Sequence, residues 1–347
     1  MPGGTRTSMR FSLVFDLAAR GGLGEDGLRM LLDLARLVDD SPIRAIWIPD
    51  GTGCPSADPA VFAAAVAVHT ATVGIRGYGI QTPVPSRERL VGNWSVVDGL
   101  SGGRVELAFA AAGATGLRDV DEVCRQWPGP AELPVWMVAR TAAQWRQLDR
   151  SSARVLTTPG QVGSAAFTRW SALRGDRPGP AVLMYAFAGA SDREAVAATT
   201  EPLRRHLRRG VRSGACAEGA VRSEGAARSG ACAQGAVRSE DAARSGASVE
   251  GAMRSGASVE GAMRSAATTG RAVRSEAAVE RAVRDVQARH GLIGGAATLH
   301  ARLDALAARG VGEVACLVDF GVDAEATERG IHRLCALAEQ FQAGPRW

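Results

Sequence analysis

Short apolar runs alternate with amphipathic stretches along most of this chain. In the amphipathic stretches apolar residues recur every three or four positions, which places them on one face of a helix. Leu28, Leu31 and Ala35 share such a face in the first stretch, and Leu299 and Leu303 share one near the end of the chain. The runs between these stretches are apolar on both faces, as parallel strands covered by helices must be.

This alternation predicts eight strands, each followed by a helix. The predicted strands occupy residues 11–15, 43–48, 74–82, 104–110, 133–138, 153–157, 181–188 and 312–320. The first predicted helix ends near Ser41, and the others occupy residues 58–73, 87–100, 117–127, 142–150, 164–173, 193–209, 298–308 and 324–341. Eight such units favour a closed (β/α)8 TIM barrel. The alternative is a doubly wound sheet, which prefers a Gly-rich phosphate turn after its first strand, and FDLAARGG is not a GxGxxG motif.

The segment 212–289 departs from this alternation. It consists of repeats such as RSGACAEGAV and RSGASVEGAM, whose Arg-Ser pairs recur ten or six residues apart. Ten residues turn an α-helix through about 1000°, so successive repeats begin on different faces and no continuous apolar stripe forms. We expect a weakly helical or disordered insertion between strands 7 and 8, with residues 1–211 and 290–347 forming one barrel domain. A partner-binding arm is the alternative.

The end of that segment has a stronger helical pattern. Val279, Val283 and Val286 share one face, Glu280 and Arg284 form an i,i+4 pair, and a glycine follows at position 291.

Composition and charge exclude several classes of protein. The formal net charge is +5, all 41 basic residues are arginine, and no basic stripe interleaved with aromatic residues is present, which disfavours nucleic-acid binding. The sequence has neither an apolar signal core nor a run of about 18 uncharged apolar residues, so we expect a cytoplasmic protein that does not enter membranes. Six cysteines without CxxC spacing, and no HExxH motif, argue against a disulfide scaffold and a zinc site.

In a barrel of this kind the active site lies at the C-terminal ends of the strands, the mouth of the barrel, where the strand-to-helix loops meet. Those loops are predicted at residues 16–24, 49–57, 81–86, 110–116, 139–141, 157–164, 189–192 and 319–322. We therefore expect the functional residues in these loops.

Three stretches carry a resemblance to a known family. They are NWSVVDGLSGGRVELAF at 93–109, ELPVWMVA at 132–139 and GLIGGAATLHARLDALAARGVGEVACLVDFGVD at 291–323. Together they resemble the bacterial-luciferase-like FMN-dependent monooxygenases. TEPLRRHLRR at 200–209 and the ACLVDFGVD within the third stretch are similar to the branch associated with nonribosomal-peptide and polyketide biosynthesis.

The resemblance implies a barrel that uses reduced FMN, normally supplied by a separate flavin reductase, together with O₂. One oxygen atom enters the substrate, which is a small molecule or a group bound to a carrier protein, and the other leaves as water. Homodimers are usual among similar proteins, and a deazaflavin is the less favoured cofactor. The protein binds and orients the flavin and excludes water. The Ala- and Gly-rich fourth loop, which includes Ala111, leaves space for a flat ring.

The mouth loops depart from the family's pattern. The second loop, PDGTGCPS, lacks the histidines of the relatives, the fourth is shortened, and the fifth reads Ala-Arg-Thr in place of Gly-Asn-Pro. The five histidines all lie on or beside predicted helices: His69, His206, His290, His300 and His332. We therefore expect histidine-assisted proton handling to be absent or to be performed by another residue.

The loop after strand 6 is the candidate phosphate site. It combines hydroxyls, backbone N–H groups and a helix N-terminus, which suit a phosphate dianion. The candidate residues are Thr157, Thr158, Gln161, Gly163 and Ser164. Relatives use this loop for the FMN phosphate. The alternative for Ser164 is that it only caps the following helix.

Five further candidates each have a simpler alternative. Arg140 is a bidentate phosphate ligand or a surface arginine. Asp50 is a general base or a turn former, and Cys54 is a nucleophile or an ordinary loop thiol. Tyr185 stands where relatives often have histidine. It contacts either the flavin or the substrate, or it has only a packing role. Asp319 holds the flavin ring edge or caps a turn.

Two sets of residues are expected to be structural. Trp47, Trp94 and Trp136 are expected to pack between strands and helices. Asp98 and Arg104 are expected to brace the turn after the third helix.

The sequence thus leads to two hypotheses. The first is a luciferase-like, FMN-dependent monooxygenase of natural-product biosynthesis. The alternative is a degenerate, catalytically inactive barrel that binds flavin or another protein, or serves as a scaffold.

Overall fold

The computed structural model of the chain describes residues 9–17, 25–49, 58–110, 113–129, 131–149, 151–213 and 276–342. Its strands are β1 (Arg10–Val14), β2 (Ala45–Pro49), β3 (Gly74–Gln81), β4 (Val105–Ala110), β5 (Val135–Ala139), β6 (Arg154–Thr157), β7 (Ala181–Ala188), β8 (Leu292–Gly294) and β9 (Glu313–Leu317). Its helices are α1 (Glu25–Asp39), α2 (Pro59–His69), α3 (Arg87–Ser101), α4 (Gly113–Gln126), α5 (Ala142–Leu148), α6 (Ala165–Leu173), α7 (Asp192–Ser213), α8 (Glu276–Asp285), α9 (Ala296–Ala308) and α10 (Ala324–Gln342). None of the helices in these ranges is both long and apolar enough to cross a membrane.

Eight parallel strands close into a ring, which confirms the predicted (β/α)8 barrel. Each strand from β1 to β7 pairs with the next, β7 pairs with β9, and β9 returns to β1. The closure is visible at Leu13, which is in register with Ile46 of β2 and with Cys316 of β9.

Three short elements were not predicted, and one of them is the 3₁₀ turn Pro159–Gln161 after β6. The strand β8 lies outside the ring and extends the C-terminal end of β7, where Ala186 is in register with Leu292. The π-helical turn Val286–His290 joins α8 to β8. Elements this short give no readable periodicity, because the apolar period must repeat over several residues to be recognised.

The turn between α3 and β4 has the structural role expected of it. The Arg104 guanidinium donates to the carbonyl oxygens of Thr70 (2.8 Å) and Val73 (2.6 Å), beyond the end of α2. The Asp98 carboxylate accepts a hydrogen bond from the Val105 N–H at 3.2 Å. These bonds tie α2, α3 and β4 together.

A layer of charged residues lies inside the barrel, toward the N-terminal ends of the strands. Glu313 of β9 is fully buried and accepts hydrogen bonds from the Ser12 hydroxyl (2.6 Å) and from the Arg76 guanidinium. Arg76 also pairs with Glu106 of β4 at 2.8 Å. Burial alone would raise the pKa of the Glu106 carboxyl, but the nearby Arg76 and Arg154 charges and a hydrogen bond from Trp136 outweigh it and lower the pKa.

Two tryptophans enclose Arg76 within this layer. The rings of Trp47 and Trp136 lie edge to face with centroids 5.1 Å apart, and the Arg76 guanidinium carbon is 4.9 and 4.6 Å from them. The expectation that both pack between strands and helices is therefore wrong, because strand alternation does not tell the inner face from the outer one when both are apolar. Trp94 does pack between α3 and β3, against Gly77, where a β-carbon would come within 2.6 Å of its ring.

Helices α7 and α8 form an antiparallel hairpin. Val279 and Val283 of α8 are buried in one cluster with Leu203 of α7. Arg208 pairs with Glu276, which places the end of α7 beside the start of α8.

The predicted insertion 212–289 is therefore described only at its two ends. Residues 212–213 complete α7, and residues 276–289 form α8 and most of the π-helical turn. The repeats between them lie outside the described residues.

Replacing Glu313 with Gln should lower the free energy of unfolding by about 2–3 kcal/mol, because Arg76 loses one of its two carboxylate partners inside the barrel and keeps only Glu106. Urea denaturation followed by circular dichroism measures this value. The control is Glu325→Gln on α10, whose side chain is 84% exposed and whose loss should cost no more than about 0.5 kcal/mol. Equal losses in the two variants would contradict the importance of the buried layer.

Replacing residues 214–275 with a short Gly-Ser linker should change the melting temperature by only a few degrees. The Arg208–Glu276 pair shows that a short linker can join the two helices. Val283→Asp, which puts a charge in the hairpin core, should by contrast destabilise the protein strongly. Calorimetry of both variants tests this, and a large loss on removing the repeats would show that they pack against the barrel.

Candidate functional site

The mouth of the barrel is described at residues 15–17 after β1 and at the loops 82–86, 140–141, 158–164, 189–191 and 318–323. Three predicted site residues, Asp50, Cys54 and Ala111, lie outside the described residues. Asp50 directly follows the last residue of β2, and Ala111 directly follows the last residue of β4.

The floor of the mouth is apolar and partly open. Ala110 of β4, Leu183 of β7 and Leu317 of β9 pack against the cluster inside the barrel that contains the two tryptophans, and each stays partly exposed. Tyr78 of β3 joins this floor, with its ring edge-on to Trp47 and the centroids 6.1 Å apart. A floor of small, aliphatic and aromatic side chains suits a flat aromatic ring and excludes water from beneath it.

The predicted phosphate loop lies at the mouth, and two of its three predicted hydroxyls make internal hydrogen bonds. Thr157 is buried, and its hydroxyl donates to the Ala139 carbonyl at 2.6 Å. The Ser164 hydroxyl accepts a hydrogen bond from the Phe167 N–H at 3.2 Å and so caps α6. Gly163 has a φ of 84°, a conformation that favours glycine. An anion here would therefore depend on backbone N–H groups at the start of α6 more than on these hydroxyls.

Arg140 and Thr158 come from neighbouring positions on this side of the mouth. They directly follow β5 and β6, whose last residues are in register with each other. Arg140 is exposed and Thr158 is half-buried. Gln161, by contrast, is turned toward α5, where its side-chain oxygen accepts from the Trp145 indole N–H at 3.3 Å. The exposed guanidinium of Arg140 can therefore reach a bound anion without breaking an internal contact described for it.

A second cluster occupies the side of the mouth formed by β1, β7 and β9. His206 of α7 is buried, and its Nδ1 lies 3.5 Å from the Asp16 carboxylate, two residues beyond β1. Tyr185 of β7 lies edge-on to the His206 ring at 5.5 Å and to the Phe320 ring at 5.6 Å between centroids. The structure thus brings Tyr185 together with a carboxylate and an imidazole.

The sequence analysis placed His206 on a helix, and the structure agrees but brings it beside Asp16 at the mouth. The expectation that histidine-assisted proton handling is absent or performed by another residue stays a prediction. A signal was present in the sequence, since Ala195, Thr199, Leu203 and His206 recur at helical spacing, and all four are buried. This spacing identifies the face of α7 that packs inward, but it does not identify the strand ends against which that face packs.

Asp319 lies in the loop after β9, two residues beyond Leu317. Its side chain is buried, and the neighbouring Phe320 contacts Tyr185. Asp319 therefore belongs to the same side of the mouth as Tyr185 and is separated along the ring of strands from Arg140.

Asp192 fixes the turn at the end of β7. Its carboxylate accepts hydrogen bonds from the Gly295 N–H (2.7 Å) and the Thr298 hydroxyl (2.8 Å). These two bonds, the first above all, lower the pKa of Asp192. The start of α7 is thereby tied to the start of α9.

The described residues fit a flavin at both of its ends. The partly open apolar floor could accommodate the flavin ring. The backbone N–H groups at the start of α6 and the Arg140 guanidinium could bind the flavin phosphate. No group of three or more His, Cys, Asp or Glu side chains within the described ranges is placed to hold a metal ion.

Solved structures share this fold at low sequence identity. The monooxygenase RslO1 from Streptomyces bottropensis is 14% identical over 94% of this chain and 98% of its own, with a TM-score of 0.61. The oxygenating constituent of 3,6-diketocamphane monooxygenase from Pseudomonas putida, a type II Baeyer-Villiger monooxygenase solved with FMN, is 13% identical over 97% and 98%, also with a TM-score of 0.61.

A third neighbour uses a different cofactor. The coenzyme F420-dependent tetrahydromethanopterin reductase from Methanopyrus kandleri is 15% identical over 93% of this chain and 97% of its own, with a TM-score of 0.55. No protein-family model and no curated protein matches the chain. The neighbours therefore show the barrel fold, and among them one was solved with FMN and another depends on coenzyme F420.

Proposed function

We propose that this chain is a flavin-dependent monooxygenase that uses reduced FMN and O₂ on a small or carrier-bound substrate of a biosynthetic pathway. The observation that carries the proposal is the partly open apolar floor above Trp47 and Trp136, with Arg140 and the start of α6 beside it. The fold that the chain shares with RslO1 and the diketocamphane enzyme supports it at the level of architecture.

One group of side chains at the mouth would bind the flavin, and another would contact the substrate. Bound reduced FMN supplies the electrons that activate O₂. Arg140 and the first N–H groups of α6 would hold its phosphate, while Tyr78, Leu183 and Leu317 would line the ring and exclude water. Tyr185 faces the same opening from β7 and would meet the substrate. Asp50, Cys54 and Ala111 remain candidates in the neighbouring loops.

The partners follow from the resemblance and from the chemistry. A separate flavin reductase would supply the electrons for O₂, as the resemblance implies. Carrier-bound substrates remain part of the proposal through the similarity to the biosynthetic branch. The rival function is a barrel that binds flavin and no longer oxidises a substrate.

FMN should bind the purified chain, and Arg140→Ala should weaken the affinity about tenfold, because one charge-assisted contact to the phosphate is lost. Quenching of flavin fluorescence measures both values, with F420 titrated in parallel. Arg146→Ala is the matched control, since Arg146 is an exposed arginine of α5 outside the mouth loops. Tighter binding of F420 than of FMN would make F420 the cofactor. If neither flavin binds, the proposed function is refuted. If FMN binds but the complex with reduced FMN consumes no O₂, the result favours the rival function, a barrel that binds flavin without oxidising a substrate.

The proposal includes a homodimer formed through α2 and α3. Residues 59–68 of α2 carry no polar side chain, yet Val61 and Val68 are 69% and 60% exposed. Val96 on the adjacent α3 is 60% exposed. A helix that is apolar on every side is typical of a buried position, and an uncharged patch is complementary to a second copy of itself.

Sedimentation velocity should therefore show a dimer, and Val68→Asp or Val96→Asp should convert it to monomer by placing a charge in the interface. Leu173→Asp is the control, because Leu173 on α6 is also exposed (51%) but lies away from α2 and α3. A wild-type monomer at micromolar concentration, or a dimer that survives both substitutions, would refute this interface.

A further inference from the structure

We infer that Asp16, His206 and Tyr185 form one functional unit, in which Tyr185 contacts an oxygen atom of the substrate and the Asp16–His206 pair positions the tyrosine. This inference rests on the proposed function, because it assigns roles within the same mouth. Of the three residues, Asp16 lies in the predicted loop after β1, whereas Tyr185 lies within β7 and His206 on α7, outside the strand-to-helix loops where functional residues were expected.

The carboxylate of Asp16 selects one tautomer of His206. Its Oδ2 lies 3.5 Å from Nδ1 of the imidazole and the ring is only 4% exposed, so the carboxylate charge acts on Nδ1 electrostatically without a hydrogen bond between the two atoms. A carboxylate beside one ring nitrogen keeps the proton on that nitrogen and leaves the other as an acceptor. Nε2 is therefore the basic atom of the pair.

Tyr185 is the aromatic ring of the unit that a ligand can reach. Its ring is held edge-on between His206 and Phe320, and both of these are buried, whereas Tyr185 is partly exposed. Two edge-on contacts fix the plane of the ring and hence the direction of the phenol. A phenol held at an apolar mouth can donate a hydrogen bond or a proton to a carbonyl or hydroxyl oxygen, so the inferred substrate class carries such an oxygen.

The helical hairpin supports this unit. Leu203 and Leu207, on either side of His206, pack in the cluster that contains Val279 and Val283 of α8. Arg205 donates to the Gly321 carbonyl at 3.4 Å, which ties α7 to the loop after β9. The helix that follows the repeats therefore has a role at the site, since it holds α7 against the mouth.

The first test requires no cofactor. The ring ¹⁵N chemical shifts of histidine-labelled protein should show His206 protonated at Nδ1, with the resonance assigned by its loss in His206→Asn. Asp16→Ala should shift His206 toward the Nε2-protonated form, while the exposed His332 should not change. An Nε2-protonated His206 in the wild type, or no effect of Asp16→Ala in a variant of unchanged melting temperature, overturns the inference.

The second test uses turnover with reduced FMN and O₂. His206→Ala and Tyr185→Phe should each lower kcat about a hundredfold with little change in KM or in FMN affinity. Combining Asp16→Ala with His206→Ala should lower kcat little further than His206→Ala alone, because the two residues position the tyrosine as a pair. His332→Asn is the matched control and should behave as the wild type.

The outcomes separate this inference from the proposed function. If His206→Ala binds FMN and turns over within twofold of the wild type, the unit has no role in the reaction and the inference is wrong. Losses that add up fully in the double variant would show that Asp16 and His206 act separately and would also overturn it. If the wild type binds no flavin, the proposed function fails, and the tautomer measurement still decides whether the pair exists.

Discussion

The buried contact between Arg76 of β3 and Glu313 of β9 is the interaction on which the mouth depends. It spans the interior of the barrel and fixes the N-terminal half of the strands, together with Ser12 of β1. The two tryptophans close around Arg76 and form the layer on which the apolar floor rests. Most barrels of this type fill the interior with branched aliphatic residues. Here a charged and aromatic layer fills it, and the space above remains lined by small and aliphatic side chains.

The alternation of apolar runs was sufficient to predict the barrel. Strand β7 was predicted at its observed bounds, and the helix after it within a few residues, because each element repeats its period several times. The interior positions of Trp47 and Trp136 could not be predicted, since both faces of these strands are apolar and alternation does not say which one is inside. Strand β8, with three residues, gave no period at all.

The candidate site was only partly accessible from the sequence for a related reason. The positions of Arg140, Thr158 and Tyr185 at the mouth could be predicted, because the end of a strand can be recognised from the local sequence. His206 reaches Asp16 across many residues of sequence, and its place depends on how α7 packs, which no local pattern specifies. The hydroxyls of Thr157 and Ser164 were expected at the phosphate, and the structure shows both in internal hydrogen bonds. The hairpin of α7 and α8 places His206 at the mouth, and the repeats lie in the sequence between its two helices.

Hydrogen–deuterium exchange with and without FMN tests the central claim most directly, because it locates binding on the chain. If the floor and the start of α6 hold the flavin, peptides covering residues 140–164 and 315–323 should become protected. Peptides at the opposite end of the barrel, such as those covering residues 102–105, should not change. Protection confined to that opposite end, or no protection anywhere at saturating FMN, would contradict the account.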